Sequence, residues 1–389
     1  LQHRHLRRVA RVRHRLHECD PVLDRLAVLL LDRRPVLLAI AGHGASIPRL
    51  VRSPPMRRVL LILIALAVCA APASASDSRA VVIVSGGAAI SPFTTPTAAC
   101  TTGYAAGSTD SYLRSYLLRR GYRVFTSPNM AGRGPVTDQP GAGGPFGTCP
   151  KALPWSMTID STGDIDLAGT RLANFIRHLH DAYGVRSVDF VAHSMGGLYS
   201  RAAIAYMRAT GVPVTVNTLT TLGTPWDGTI FANPTVPGDP ASSCDGFAVC
   251  LSLLEVFADS APVVMIQDSA AAMAVTNRYY RGALKGIPVL MVAGDYFQKP
   301  GGRPLVWPND GIVTVDSAFS VATSDRVFPH RRCRLFAGGT HSVYISKQAG
   351  LANDTAITWT PKVGAWVASA IAAGKDALEQ PNRVGCPAS

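Results

Sequence analysis

The chain has 389 residues, is 47% hydrophobic and carries a formal net charge of +13. The charge is uneven, because residues 1–58 hold 13 Arg, no Lys and four acidic side chains, which leaves a net charge of only +4 for residues 59–389. So mild a charge argues against a nucleic-acid-binding protein, and the length suits one large α/β domain with an insertion.

The N-terminal region has the layout of a secretory signal peptide. Met56-Arg57-Arg58 opens a short basic stretch, residues 59–71 are nearly all apolar, and Ala73-Ser74-Ala75 supplies an A-x-A cleavage site. A helix over the apolar stretch is about 20 Å long, which is too short for a hydrocarbon core about 30 Å thick. We therefore expect three regions: a non-native, disordered upstream extension (1–55), a signal peptide (56–75) and an exported domain without a membrane span (76–389).

The cysteines fit an exported chain. Six remain after the predicted cleavage, and an even number in that setting predicts three disulfides. Of the 15 possible pairings the simplest joins nearest neighbours: Cys100–Cys149, Cys244–Cys250 and Cys333–Cys386. The chain contains no CxxC pair, which argues against zinc clusters and redox dithiols.

The first half of the domain alternates strands and helices. Residues 79–85 form an apolar run that ends at Gly86-Gly87 and predicts a buried parallel strand. The elements expected next are a helix (111–120), a strand (122–125) and a long surface loop (126–163). Asp164 is predicted to cap a helix that runs to Tyr183 and stops at Gly184. Its apolar face holds Leu172, Phe175, Ile176 and Leu179.

A sharp strand-to-helix turn is predicted at Ser194. The run Ala192-His193-Ser194-Met195-Gly196 follows an apolar strand and precedes a helical stretch, which is the nucleophile-elbow pattern with Ala192 in place of its first glycine. Small residues at 192 and 196 let strand and helix approach closely. The turn lifts the serine hydroxyl clear of the backbone, above a helix N-terminus. An ordinary strand-to-helix turn is the alternative.

The second half continues the alternation. The expected elements are a helix from Met195 to about Thr210, strands over 215–222, 287–293, 311–315 and 332–336, and a closing helix over 363–379. Residues 226–284 interrupt this order with a small cysteine loop and an apolar patch, and form either a lid over the serine or a structural helical excursion. The pattern predicts the α/β class, with a mostly parallel central sheet and helices on both faces.

A serine nucleophile needs a general base. Five histidines follow the signal peptide: His178, His180, His193, His330 and His341. The first two lie on the helix before the elbow, and His193 flanks the serine but points away from it. The histidine comes last in this fold order, after both the serine and the acid. His341 is favoured over His330 because it lies in a glycine-containing loop after the last strand.

The base needs an orienting carboxylate, and the developing oxyanion needs donors. Asp295, Asp310 and Asp316 all follow the strand at 287–293. We favour Asp310, in part on the resemblance given next, although Asn-Asp-Gly is also a common turn sequence. The expected oxyanion donors are the backbone N–H groups of Met195 and of Gly87.

Three motifs together carry a resemblance to a known family. They are Ala192-His193-Ser194-Met195-Gly196-Gly197, Thr221-Leu222-Gly223-Thr224-Pro225 and Asn309-Asp310-Gly311-Ile312-Val313. The chain resembles secreted bacterial lipases and esterases of the α/β-hydrolase superfamily over about residues 80–345. The resemblance implies an α/β-hydrolase fold, acyl-enzyme chemistry by a Ser194–His341–Asp310 triad, and no cofactor.

Two features qualify the resemblance. Such lipases usually carry His-Gly after the first strand, where this chain has Ser85-Gly86. Some relatives bind a structural calcium ion, but the sequence offers no acidic cluster to hold one.

The sequence thus predicts a secreted serine hydrolase of carboxylic esters, either a triacylglycerol lipase or a carboxylesterase. The apolar insertion favours lipid or other apolar esters as substrates, and no nucleic-acid partner is expected. Acyl transfer or amide cleavage by the same triad is the alternative among enzymes. A non-catalytic surface protein that uses the hydrolase fold for binding is the alternative outside enzymes.

Overall fold

The computed structural model describes residues 78–100, 110–137, 146–260 and 268–387. These belong to one compact unit, Ser74–Ser389. The predicted upstream extension and signal peptide (1–75) lie outside the described residues. Within the described part of the chain, no helix is both long and apolar enough to cross a membrane.

The described chain contains eight β-strands. In chain order they are β1 (Arg79–Val84), β2 (Val124–Thr126), β3 (Asn129–Met130), β4 (Ile159–Asp160), β5 (Ser187–His193), β6 (Thr215–Leu222), β7 (Val289–Gly294) and β8 (Arg331–Phe336). Six of them form the central sheet in the order β2-β1-β5-β6-β7-β8, and every neighbouring pair is parallel. The strands β3 and β4 form a separate parallel pair.

Helices connect and cover these strands. A π-helical turn over Asp110–Arg114 leads into α1 (Ser115–Leu118), and the other α-helices are α2 (Ile165–Tyr183), α3 (Gly196–Thr210), α4 (Ala248–Ser260), α5 (Ala270–Tyr279), α6 (Val315–Ala318), α7 (Val343–Gln348) and α8 (Pro361–Ala373). Short 3₁₀ turns cover Trp155–Met157, Ile230–Ala232, Pro240–Cys244, Asn353–Thr355 and Gly374–Glu379.

The sheet is buried on both faces. Alternate residues of β1 enter different cores: Val82 and Val84 pack with α2 and α3, whereas Val81 and Ile83 pack with α1 and α8. A parallel sheet covered on both sides requires apolar residues in both phases of the strand, which explains the unbroken apolar run of β1. The predicted class, a mostly parallel sheet with helices on both faces, is confirmed.

Helix α2 follows its sequence signals closely. The Asp164 side chain accepts a hydrogen bond from the backbone N–H of Leu167 at 2.9 Å, and Gly184 ends the helix with φ of 67°. The four predicted apolar residues, Leu172, Phe175, Ile176 and Leu179, are fully buried. At the α2–α3 contact, a Cβ on Gly169 would lie only 2.4 Å from that of Ala202, so the small residues allow the close crossing.

Three predicted elements differ from the structure. The stretch 126–163 is not one surface loop, because β3 and β4 lie within it and pair. The stretch 311–315 is not a strand, because the Asp310 carboxylate accepts the N–H groups of Ile312 and Val313 and closes a turn there. The helix expected over 363–379 stops at Ala373 and continues only as a 3₁₀ turn, since Gly374 has φ of 52°.

The insertion after β6 adds its own small apolar core. Ile230, Phe231, Phe247 and Leu254 pack together with Val306 from the segment after β7. Helix α5 is joined to α3 by a hydrogen bond of 2.6 Å from the buried Arg201 to the Asn277 side chain.

Three disulfides join the nearest-neighbour pairs expected from the sequence, Cys100–Cys149, Cys244–Cys250 and Cys333–Cys386. The third ties the C-terminal tail to β8. Arg332 in that strand pairs with Val384 of the tail, and the N–H of Cys333 donates to the Val384 carbonyl at 2.9 Å.

Candidate active site

Ser194 lies at a strained bend between β5 and α3. Its φ of 55° falls in the left-handed region, which is unusual for a residue with a side chain. The bend is fixed from β6, because the Ser194 N–H donates to the Leu222 carbonyl at 2.9 Å and the Thr224 hydroxyl donates to the Ser194 carbonyl at 2.8 Å. The serine side chain remains partly exposed. The predicted elbow therefore has the geometry that its pattern implies.

The requirement for small residues at the elbow is visible in the packing. A Cβ on Gly196 would lie 2.5 Å from the Val84 carbonyl oxygen and 2.8 Å from that of Ser85. Helix α3 can therefore start directly against β1 only with glycine at this position. The helix itself begins at Gly196, one residue later than predicted, with Met195 as its N-cap.

The bend lies at a point where the strand order reverses. The chain leaves β1 toward β2 on one side and returns at β5 on the other, so the loops that follow β1 and β5 diverge at the carboxyl edge of the sheet. Ligands of open α/β sheets bind at such a point. Ser194 follows β5, and Gly86 and Gly87 follow β1.

Asp310 and His341 form a buried pair after β7 and β8. The Nδ1 atom of His341 lies 2.8 Å from Oδ2 of Asp310, and the His341 N–H donates to the Asp310 carbonyl at 2.7 Å. Their side chains are only 2% and 1% exposed. The carboxylate can only accept, so Nδ1 of His341 carries a proton and donates it to Asp310. The Nε2 atom of His341 is buried and has no hydrogen-bond partner among the described residues.

Gly223, which follows β6, lies against this pair. Its φ is +59°, and a Cβ there would lie 2.8 Å from Oδ2 of Asp310 and 2.9 Å from Nδ1 of His341. The Gly-Thr-Pro motif at 223–225 thus has a physical reason. Its glycine leaves room for the carboxylate–imidazole contact, and its threonine holds the elbow.

The other carboxylates considered from the sequence do not reach the His341 ring. Asp295 accepts the backbone N–H of Gly338 at 2.7 Å, three residues before His341, so it binds the same loop at a different place. Asp316 lies exposed in the first turn of α6.

The other histidines are also engaged elsewhere or set apart. The ring of His178 packs edge-on against Phe93 and Tyr183. One ring nitrogen of His180 contacts the Val185 carbonyl at 3.0 Å. His330 precedes β8, at the opposite end of that strand from His341.

The loop after β1 touches the serine directly. A Cβ on Gly86 would lie 2.4 Å from that of Ser194 and 3.0 Å from its hydroxyl oxygen. Gly87, the expected oxyanion donor, is the next residue and is half-buried. Ser85, where related lipases carry histidine, instead accepts a hydrogen bond from Ser91 at 2.8 Å.

Two residues that the sequence analysis missed hold this loop. The Ser161 carbonyl accepts a hydrogen bond from the N–H of Ala88 at 3.1 Å. The Ser161 hydroxyl donates to the Ala89 carbonyl at 2.8 Å. Tyr199, one turn into α3, donates to the same Ser161 carbonyl at 3.0 Å. Ser161 lies in the stretch predicted to be a surface loop, so no sequence signal marked it.

His193 was set aside on sequence grounds, yet it contacts the pair. Its Nε2 lies 2.9 Å from the carbonyl oxygen of His341, and the two ring centroids are 4.6 Å apart. Burial, and then the neighbouring His341, lower the pKa of His193 well below its usual value. This imidazole is therefore neutral at physiological pH.

The segment that carries Asp310 is anchored to the insertion. Asp245, next to the Cys244–Cys250 disulfide, accepts hydrogen bonds from the Trp307 indole at 2.8 Å and from Lys299 at 3.2 Å. Both hydrogen bonds lower the pKa of Asp245, and the bond from the Trp307 indole has the larger effect. Phe247 packs on the rings of Phe297 and Trp307, so the insertion supports the acid segment from its apolar side.

Chemically, the arrangement brings together a partly exposed serine, a buried imidazole whose Nε2 has no partner among the described residues, and a carboxylate that fixes the imidazole. These are the parts of a nucleophilic hydroxyl with its base. Within the described residues, no group of three or more His, Cys, Asp or Glu side chains is placed to hold a metal ion.

Comparison with known proteins agrees with this chemistry. Residues 156–241, which include Ser194, match the family described as "Putative serine esterase (DUF676)". None of the curated proteins matches the chain. The matched segment is therefore similar to a family of serine esterases. With the parallel sheet and the elbow after β5, it confirms the α/β-hydrolase fold and the resemblance to bacterial esterases and lipases.

The chain is also similar to solved structures. They include the mature form of the lipase BlEst2 from Bacillus licheniformis (17% identity, TM-score 0.38, covering 64% of this chain and 81% of that chain). Another is the lin2722 gene product of Listeria innocua (15%, 0.41, covering 75% and 92%). A third is a highly thermostable carboxyl esterase from Bacillus coagulans in complex with glycerol (11%, 0.42, covering 77% and 91%).

Proposed function

We propose that this protein hydrolyses carboxylic esters through a Ser194–His341–Asp310 triad. The match of residues 156–241 to a family of serine esterases supports the reaction class. The observation that carries the proposal is the buried His341–Asp310 pair. Its free Nε2 is at the same sheet edge as the strained, partly exposed Ser194.

The proposed reaction has two halves. Nε2 of His341 takes the proton of Ser194 as its hydroxyl oxygen attacks the acyl carbonyl, and then returns that proton to the leaving alcohol. Asp310 holds the proton on Nδ1 and stabilises the imidazolium. Water then attacks the acyl-enzyme by the same route and releases the acid. The oxyanion is stabilised by the backbone N–H groups of Met195 and Gly87.

An apolar ester is the proposed substrate class, either a lipid or another ester with an apolar acyl chain. The support is the apolar cluster of the insertion, in which Phe231 and Phe247 pack beside the segment that carries Asp310. A second support is the hydrogen bond from the Ile230 N–H to the Ile312 carbonyl, which joins the two segments two residues from Asp310.

Export is proposed on the signal-peptide pattern at 56–75. The three disulfides support it, because disulfides persist in oxidising compartments. Intact-mass analysis of the protein recovered from culture medium is expected to give a chain that begins near Ser76. Recovery of a chain that retains residues 1–55 would contradict the proposal.

A chain-length series of p-nitrophenyl esters tests the activity, with wild type and Ser194→Ala compared at each length. We expect turnover by the wild type alone and an optimum above the shortest acyl chains. A fluorophosphonate probe is expected to label Ser194. Equal turnover by the two proteins would refute the triad.

The same preparation separates the alternative activities. Faster release from an amide than from the matched ester would indicate an amidase. Preferential transfer to an added alcohol would indicate an acyltransferase. Folded protein with no labelling and no turnover would indicate a binding protein.

A further inference from the structure

His193 is a second imidazole within the site, and the reaction as written does not use it. It is buried, it ends β5, and it lies one residue before the nucleophile. Its one polar contact in the described residues is with the carbonyl oxygen of His341, 148 positions along the chain, at 2.9 Å. A carbonyl oxygen only accepts hydrogen bonds, so Nε2 of His193 must carry a proton and donate it.

This bond links the residue next to the nucleophile with the backbone of the base. The carbonyl belongs to the residue that carries the base, and the donor is covalently attached to the residue that carries the nucleophile. Any shift of the His341 loop away from Ser194 would stretch the bond. Attack by a serine hydroxyl needs reacting atoms within about 3–3.5 Å, and misplacement by about 1 Å can cost about 100-fold in rate.

We propose that His193 is a positioning residue, which fixes the distance between His341 and Ser194 by donating a hydrogen bond to the His341 backbone. The inference rests on the proposed triad. It assigns His193 no contact with substrate and no proton transfer.

The other contacts of the loop explain why this bond is needed. Asp295 holds the N–H of Gly338, and the hydroxyl of Thr340 bonds that of Ser346 at 2.6 Å. These contacts, and the bond from the His341 N–H to the Asp310 carbonyl at 2.7 Å, hold the loop to its neighbours and to the acid, but none of them reaches the elbow. The hydrogen bond from His193 therefore connects the His341 backbone directly to the elbow.

Burial also suits His193 to this task. Two imidazoles whose centroids are 4.6 Å apart repel each other if both are charged. Burial keeps His193 neutral, while the Asp310 carboxylate stabilises a charge on His341. The proton taken from Ser194 is therefore accepted by His341 and not by His193. A permanently charged side chain at 193 would oppose that step.

The test compares two substitutions at position 193. His193→Phe keeps a ring but has no donor. In His193→Gln the amide nitrogen is as many bonds from Cα as Nε2 of histidine, so the donor remains. We expect His193→Phe to lower kcat about 10- to 100-fold with KM within about twofold, and His193→Gln to recover activity to within about threefold of wild type.

His180→Phe is the matched control, because it removes a histidine-to-carbonyl contact of 3.0 Å that lies at the far end of α2. It is expected to keep full kcat. Thermal unfolding of all variants gives the folded fraction, and the rate of fluorophosphonate labelling of Ser194 should fall with kcat in His193→Phe.

Two results would overturn the inference. One is full kcat in His193→Phe. The other is a kcat in His193→Gln as low as in His193→Phe when both variants are folded. Either result would leave the triad intact as long as Ser194→Ala is inactive. Activity in Ser194→Ala would instead refute the proposed function itself.

Discussion

Replacement of Asp310 by asparagine should remove most of the activity, and the hydrogen bonds of this residue show why. Oδ1 accepts the N–H groups of Ile312 and Val313 at 3.1 and 2.9 Å, and Oδ2 faces Nδ1 of His341 at 2.8 Å. In Asp310→Asn the amide oxygen keeps the two backbone donors. The NH₂ group must then face His341, which forces Nδ1 to accept. The imidazole proton therefore moves to Nε2, the atom that has to accept the proton of Ser194.

The lost electrostatic stabilisation sets the magnitude. A carboxylate and an imidazolium with charge centres about 4 Å apart interact by about 4 kcal/mol at an effective dielectric constant of about 20. That energy corresponds to about 1,000-fold in rate. Both side chains are almost fully buried, so solvent screening reduces this value little. The wrong tautomer adds to the loss, and we expect kcat to fall about 10³- to 10⁴-fold.

The assay is steady-state hydrolysis of a p-nitrophenyl ester, with Asp295→Asn as the control. Asp295 uses one oxygen to accept the Gly338 N–H, and an asparagine oxygen can accept the same bond. The control should therefore stay within about threefold of wild type. The reasoning would be refuted if Asp310→Asn kept more than a tenth of wild-type kcat, or if Asp295→Asn lost more activity than Asp310→Asn.

Three further predictions concern the glycine loop, the disulfides and a buried acid. Gly86→Ala should lower kcat at least about 100-fold, because its Cβ would lie 2.4 Å from that of Ser194; kinetics and thermal unfolding check this, and an active, folded variant would contradict it. A disulfide that closes a longer loop stabilises the folded chain more, because it restricts the unfolded chain more. Replacing both cysteines of Cys333–Cys386 (separation 53) should therefore cost about 4 kcal/mol of unfolding free energy, against about 2 kcal/mol for Cys244–Cys250 (separation 6). A denaturant titration that gives the reverse order would refute this. Burial raises the pKa of Asp268 to about 8, and its Oδ1 has no partner among the described residues. The unfolded carboxyl ionises near pH 4, so its contribution to stability is lost as pH rises toward and through 8. Asp268→Asn should therefore raise Tm at pH 8 to 9 but not at pH 4, and equal shifts at both would count against this reasoning.

The elements that the sequence predicted well have strong local signals. Helix α2 begins after a capping Asp164 and ends at Gly184, and both residues act on their own backbone neighbourhood. Strand β6 has the predicted bounds. The elbow at Ser194 could be located because its small residues are needed for contacts between adjacent strand and helix.

The misses come from interactions between distant residues. The two-residue strands β3 and β4 have no periodicity to detect, and they form only because 129–130 meets 159–160. The stretch 311–315 is apolar enough for a strand, but one carboxylate oxygen closes it into a turn.

The candidate site divides in the same way. Ser194, Asp310 and His341 could be proposed from motif and chain order. Ser161 and His193 could not, since their partners lie 72 and 148 positions away. The choice of Asp310 over Asp295 also depends on which of the two faces the ring, and their position after the same strand did not reveal that.

The pairing of the C-terminal tail with β8 has a consequence for self-association. An outer strand of a sheet offers free N–H and carbonyl groups to any other extended chain. Here the tail occupies that ladder at Val384 and is tethered by Cys386, while Thr94 pairs with Thr126 on the opposite border of the sheet. Reducing agents should therefore promote intermolecular β-pairing at β8, and the native oxidised chain carries its own protection against aggregation.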